Sequence, residues 1–229
     1  LERARRQLSR AARLAPFAGI VVVVALVFRV PEARGDRSPP ATAPVAPLPL
    51  DFAVVDKDGA PVAGIEWLAP QLANAASQYA KLGLRFAVMS VRRFAGNPRI
   101  ETRKDRDDLG QYYQHGYINV FIVEALKDID TAGDYERGVC WGDEKHTAIA
   151  KYIIIQAGSP PGVLTHEMGH MLGLGHSHQI DNVMSYARSK KRVPFFMPIQ
   201  AAEMRAYARK LYQMGFLQPA PEDKVVKLE

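Results

Sequence analysis

From residue 51 onward the apolar positions of this chain alternate between two rhythms. Asp51–Val55 reads as a short strand followed by the turn signal Asp58-Gly59. Over Glu66–Leu82 the period changes: Leu68, Leu72, Ala75, Ala76, Tyr79 and Leu82 recur at threes and fours, which predicts a helix ended by Gly83. Leu84–Phe94 alternates again as a strand, and Asp105–Gln114 reads as a weaker helix. Tyr117–Glu124 (YINVFIVE) and Tyr152–Gln156 (YIIIQ) are apolar enough to be strands buried on both faces. Between them Gly138–Gly142 (GVCWG) reads as a short edge strand. After residue 156 only helices follow, at Gly162–Gly173 and Ile199–Met214. Strands alternating with helices, then helices alone, predict a three-layer α/β domain, and no internal repeat is evident.

Upstream the rhythm is lost. An Arg-rich stretch, Leu1–Arg13, precedes the apolar run Leu14–Phe28 and then Arg29, which is the pattern of an export signal with its basic side in the cytoplasm. The run is short for a full membrane span and lacks a clean cleavage site after it. An uncleaved membrane anchor, a cleaved signal peptide and a buried core helix therefore all stand. Ser38–Leu50 holds Pro39, Pro40, Pro44, Pro47 and Pro49 and reads as an extended spacer. The organisation expected is a targeting segment over 1–37, a Pro-rich linker over 38–50, a folded domain over 51–220 and a tail over 221–229.

Charge follows that division. The formal net charge is +6, but residues 1–37 hold eight arginines against three acidic residues, which leaves only +1 on the rest. The folded part thus has no general field for nucleic acid. Cys140 is the only cysteine, so an internal disulfide and a cysteine-rich zinc site are both excluded. Disulfide-free export suits a bacterial protein better than a small animal secreted domain, and the location expected is outside the cytoplasm, anchored or secreted.

Chemistry concentrates in His166-Glu167-Met168-Gly169-His170-Met171-Leu172-Gly173-Leu174-Gly175-His176. On a helix, residues four apart project side by side, so His166 and His170 suit one tetrahedral metal. Glu167 leans into the same site without having to coordinate, placed to take a proton from a metal-activated water and pass it to a leaving amine. A continued helix would point His176 away. Gly173 can take positive φ, stop the helix and let His176 return as third ligand. Three neutral histidines leave a fourth position open, as catalytic zinc requires. His178 is a weaker rival to His176, and His115 and His146 read as surface or loop histidines. A glutamate ligand further downstream has no good candidate: position 190 is Lys, and Glu203 falls in a later helix.

The HExxHxxGxxH run, followed by Met184 eight residues after His176, resembles the metzincin clan of zinc endopeptidases. That resemblance implies a mixed twisted sheet with an antiparallel edge strand, a motif helix and a small C-terminal helical subdomain. It implies Met184 as an apolar floor under the histidines, and one catalytic zinc ion. The short gap to Met184 and Ser177 after His176 are similar to the matrixin branch. Met184-Ser185-Tyr186 is instead similar to the serralysin, astacin and pappalysin branches, where the tyrosine reaches the metal or the tetrahedral intermediate. Tyr186 is thereby an oxyanion stabiliser or a packing residue of the turn. The clan also implies that Gly138, Val139, Cys140 and Trp141 form the edge to which an extended peptide adds, beside the reading as an ordinary edge or loop. Arg188–Phe196 falls where the clan builds a specificity wall, though its basic run also reads as a solvated loop.

The function expected is a zinc-dependent endopeptidase acting on peptide or protein substrates. The alternatives are a non-catalytic binding protein that keeps zinc, and a zinc hydrolase of a non-protein amide such as a cell-wall crosslink. Neither a structural calcium site nor an oligomeric state is readable from the sequence.

Overall fold

Ten consecutive residues, Leu48–Lys57, form the strand from which the sheet is built in both directions. In the computed structural model the elements are β1 (Leu48–Lys57), β2 (Ala60–Pro61), α1 (Ile65–Ala80), β3 (Phe86–Phe94), β4 (Arg99–Ile100), α2 (Arg103–Asp108), β5 (Ile118–Val123), β6 (Ala125–Leu126), β7 (Gly138–Trp141), β8 (Tyr152–Gln156), α3 (Val163–Met171) and α4 (Pro198–Gln213). Residues 44–131, 133–142, 151–189 and 192–227 are described. The targeting segment 1–37 and linker residues 38–43 lie outside them. Among the described residues no helix is long and apolar enough to cross a membrane.

β1 pairs parallel with β3 on one side and β5 on the other, β8 continues parallel to β5, and β7 closes the row antiparallel to β8. This is the mixed sheet with an antiparallel edge that the sequence predicts. The central strands send alternate residues to two cores. Phe52, Val54, Val120, Ile122, Ile153 and Ile155 face α1 and α3, whereas Ala53, Val55, Phe121, Val123 and Ile154 face the smaller layer around Phe94, Ile100 and Leu109. Burial on both faces explains why these strands read as continuous apolar runs. Asp58 and Gly59, with φ of 52° and 81°, form the tight turn from β1 to β2.

Three boundaries differ from the sequence reading. β1 starts at Leu48, three residues inside the predicted linker, because Leu48 and Leu50 are fully buried and Leu48 N–H donates to Arg85 O at 2.8 Å. Pro49 is tolerated because the pairing with β5 begins only at Leu50. The predicted helix over Asp105–Gln114 splits into α2 and a 3₁₀ turn at Leu109–Tyr112. α2 starts earlier than expected through a reciprocal cap: Asp105 N–H donates to Thr102 Oγ1 and Thr102 N–H to Asp105 Oδ2. Finally, the described part of the predicted tail, residues 221–227, is docked along β3. Arg85 holds Glu222 with two bonds of 2.9 and 3.0 Å, and Val226 N–H donates to Phe86 O at 2.9 Å.

Candidate metal centre

α3 carries His166 and His170 one turn apart, and its end decides where the third histidine goes. Gly173 has φ of 91°; its N–H bonds His170 O at 3.0 Å, and Leu174 N–H bonds Gly169 O at 2.9 Å. This pair of bonds is a Schellman stop, which reverses the chain and returns His176 to the helix. Nε2 of His170 then lies 3.1 Å from Nε2 of both His166 and His176. His178, by contrast, is exposed and outside the cluster formed by the other three.

The donor set fits zinc. His166 Nδ1 lies 2.8 Å from Val183 O and His170 Nδ1 2.8 Å from Leu174 O. Carbonyls only accept, so each Nδ1 carries the proton and each Nε2 presents a lone pair. Lone pairs 3.1 Å apart repel unless a cation lies between them. Tetrahedral nitrogens around zinc stand about 3.3 Å apart, close to what is found. Burial pushes His166 down to about 4, which keeps it neutral and able to coordinate.

Met184 is fully buried, with its thioether against Gly169 of the motif helix. Its position is fixed from several sides: its N–H donates to Asn182 Oδ1 at 2.9 Å, and its carbonyl accepts from Ser177 N–H at 2.8 Å. Asn182 Nδ2 donates in turn to Gln200 Oε1 at 2.8 Å, tying the turn to the start of α4. Arg188 closes the turn with guanidinium bonds to the carbonyls of Asn182 (2.8 Å), Val183 (3.2 Å), Ser185 and Ala187 (3.2 Å). Tyr186, on the exposed side, brings its hydroxyl to 2.9 Å from His176 Nε2.

Glu167 sits between α3 and β7. Gly138 passes so close that a Cβ there would meet Val163 Cγ1 at 2.6 Å and Glu167 Cγ at 2.9 Å. Burial lifts the Glu167 carboxyl to about 8, with the nearby Glu136 adding to the rise and the backbone N–H of Cys140 opposing it. Glu136 is itself paired with the buried Arg106 at 2.6 Å. Along β7, Cys140 packs into the core against α3, while Val139 and Trp141 pack on the opposite face. Burial pushes the Cys140 thiol up to about 12, which marks a packing residue. Trp141 donates to Asp107 at 2.8 Å. His115 is exposed on the surface, and His146 lies outside the described residues.

Several contributors escaped the sequence reading. Gly169 had a signal, since glycine inside a helix is costly and points to a close approach. The amides Gln71, Asn74 and Gln78 of α1 repeat at helical spacing and were passed over for the apolar stripe beside them. Asn182, Arg188 and Gln200 carried no local signal, because their roles depend on where the turn is folded.

The matrixin family (Peptidase_M10) matches residues 138–203, the span that holds β7, α3, the three histidines, Met184 and Tyr186. Over that span, under a third of its length, the chain is similar to the matrixin peptidases. Its fold agrees with that of metalloproteinase-II from Bacteroides fragilis, at 15% identity and a TM-score of 0.50 over 72% of this chain. This chain spans about 55% of that protein. It also matches archaemetzincin from Methanopyrus kandleri at 16% identity and a TM-score of 0.48, over 71% of this chain and 96% of that one. No curated protein sequence matches it.

Proposed function

We propose that the protein is an endopeptidase that cleaves peptide bonds within extended substrates, with Glu167 as general base and then general acid. One observation carries this reading: a three-histidine cradle, open on one side, with a buried carboxylate between it and an edge strand. A structural zinc site would be closed by a fourth ligand and would have no use for that carboxylate.

Zinc held by His166, His170 and His176 would polarise a substrate carbonyl and make a water acidic. The protein supplies the rest. β7 pairs only with β8 among the described strands, so its outer edge offers backbone groups to an extended peptide. Glu167 takes the proton of the attacking water and returns it to the leaving amine. The Tyr186 hydroxyl, held at the mouth of the cradle, donates to the oxygen that gains negative charge. Val183 O and Leu174 O fix the two helical imidazoles in the coordinating tautomer.

The reading is tested by Glu167→Ala. That variant is expected to bind zinc stoichiometrically and to lose peptide hydrolysis; hydrolysis at the wild-type rate would overturn it. Action outside the cytoplasm is part of the same proposal and rests on the basic and apolar sequence over 1–37. A reporter fused after residue 50 and assayed on both sides of the inner membrane of a bacterial host tests it.

A further inference from the structure

α1 directs three amide side chains toward α3 and the segment that leads into it: Gln71, Asn74 and Gln78, at helical spacings of three and four. Two are engaged. Gln71 Nε2 donates to Ser159 O at 2.7 Å, and Asn74 Oδ1 accepts from Thr165 Oγ1 at 2.7 Å. Gln78 is only 9% exposed, yet neither its amide nitrogen nor its carbonyl makes a hydrogen bond among the described residues. What remains open to it is a cleft of about 730 Å³ that begins at His166 and Glu167 and passes Arg137, Gly138, Val193 and Pro194. Its amide atoms have no protein partner among the described residues and meet solvent only at the cleft wall, where a ligand offering both a donor and an acceptor would pair them.

The cleft has a definite place relative to a bound chain. It lies at the N-terminal end of β7, by Arg137 and Gly138. A peptide added antiparallel to β7 runs from Trp141 toward Gly138, so its C-terminal half enters the cleft. The side chain received there belongs to the residue just after the scissile bond. Charge does not choose it: Arg137 and Arg188 border the cleft, but so do Asp128, Glu136 and Glu167. Asn74 Nδ2 has no hydrogen bond among the described residues and is a second donor beside Gln78.

We propose that Gln78 makes this cleft selective for a carboxamide side chain, glutamine or asparagine, immediately after the scissile bond. The proposal rests on the endopeptidase reading above. Its test uses the zinc-loaded full chain and peptides identical except for Gln, Asn, Leu, Glu or Lys at that position. Two succinyl hydroxamates, one with a glutamine-like and one with a leucine-like side chain, are compared by calorimetry and need no turnover. Wild type is expected to favour Gln over Leu by about tenfold in kcat/KM and in hydroxamate affinity. Gln78→Leu and Gln78→Met are expected to shift both ratios toward Leu, with an unfolding midpoint at or above that of wild type. Equal ratios in wild type and both variants overturn the proposal and leave the endopeptidase standing. Absence of any cleavage by wild type overturns the endopeptidase reading instead, and the hydroxamate ratio then still decides the role of Gln78.

Discussion

The Met184 thioether occupies the space where a side chain on Gly169 would stand, so the motif helix and the turn beneath it meet at a bare Cα. A Cβ at position 169 would also come within 3.6 Å of the Tyr79 hydroxyl, which donates to Thr165 O at 3.0 Å. The glycine between the two helical histidines therefore serves packing, although it weakens the helix by about 1 kcal/mol relative to alanine.

Gly169→Ala is accordingly expected to destabilise the protein. The helix-propensity gain is outweighed by overpacking of about 1–3 kcal/mol, because Met184 is walled in on the side away from the helix. The unfolding midpoint of the zinc-loaded protein should fall by several degrees, and zinc affinity should weaken as the floor shifts. A raised midpoint in calorimetry would contradict the joint.

Gly138→Ala addresses Glu167 rather than the metal. Its Cβ would press on Val163 and on the Glu167 side chain from β7. Displacement of a catalytic group by a fraction of an ångström to an ångström costs up to about 10²-fold. We expect kcat to drop by about tenfold or more while zinc content, read by elemental analysis, stays at wild type. Unchanged kcat in a variant of normal zinc content would show that Glu167 tolerates the crowding.

Arg188→Ala removes a guanidinium that bridges four carbonyls of the methionine turn, including Val183 O, the acceptor for His166 Nδ1. Loss of such outer support typically weakens metal affinity by about 10–100-fold. Competition with a zinc chelator measures it. Arg188→Lys should recover little, since one ammonium cannot span the same carbonyls. Wild-type affinity in Arg188→Ala would make the clamp ornamental.

These residues also mark how far the sequence could be read. His166, Glu167 and His170 follow from helix geometry, and His176 from the single conformational freedom of Gly173, so the cradle was legible from local rules. The central strands were legible because burial on both faces writes an unbroken apolar run. Leu48 was not, since its prolines argued for a spacer and only the tertiary position of Pro49, beside an absent neighbour, permits a strand. Gln200 acts on a side chain 18 residues away, and Arg188 on neighbouring carbonyls that converge only once the turn is folded, so nothing local distinguishes either from a solvated side chain. Glu222 is out of local reach as well: its partner Arg85, just before β3, lies 137 residues earlier.

Tyr186 separates two roles through one substitution. Its ring is 79% exposed and its hydroxyl is 2.9 Å from His176 Nε2. In the proposed site that nitrogen would also be a ligand atom, so the hydroxyl would release it when a metal binds and would then be free to face substrate. A tyrosine this exposed adds little to packing, and Tyr186→Phe should change stability by no more than about 0.5 kcal/mol. Loss of one donor to a developing oxyanion, however, lowers kcat by about 10²–10³-fold. The expected result is a large fall in kcat with KM nearly constant, because the bond strengthens only as charge builds on the oxygen. A packing role predicts the opposite pair of outcomes, a lowered unfolding midpoint with kcat unchanged. Measuring kcat, KM and the midpoint on the same zinc-loaded preparation distinguishes them.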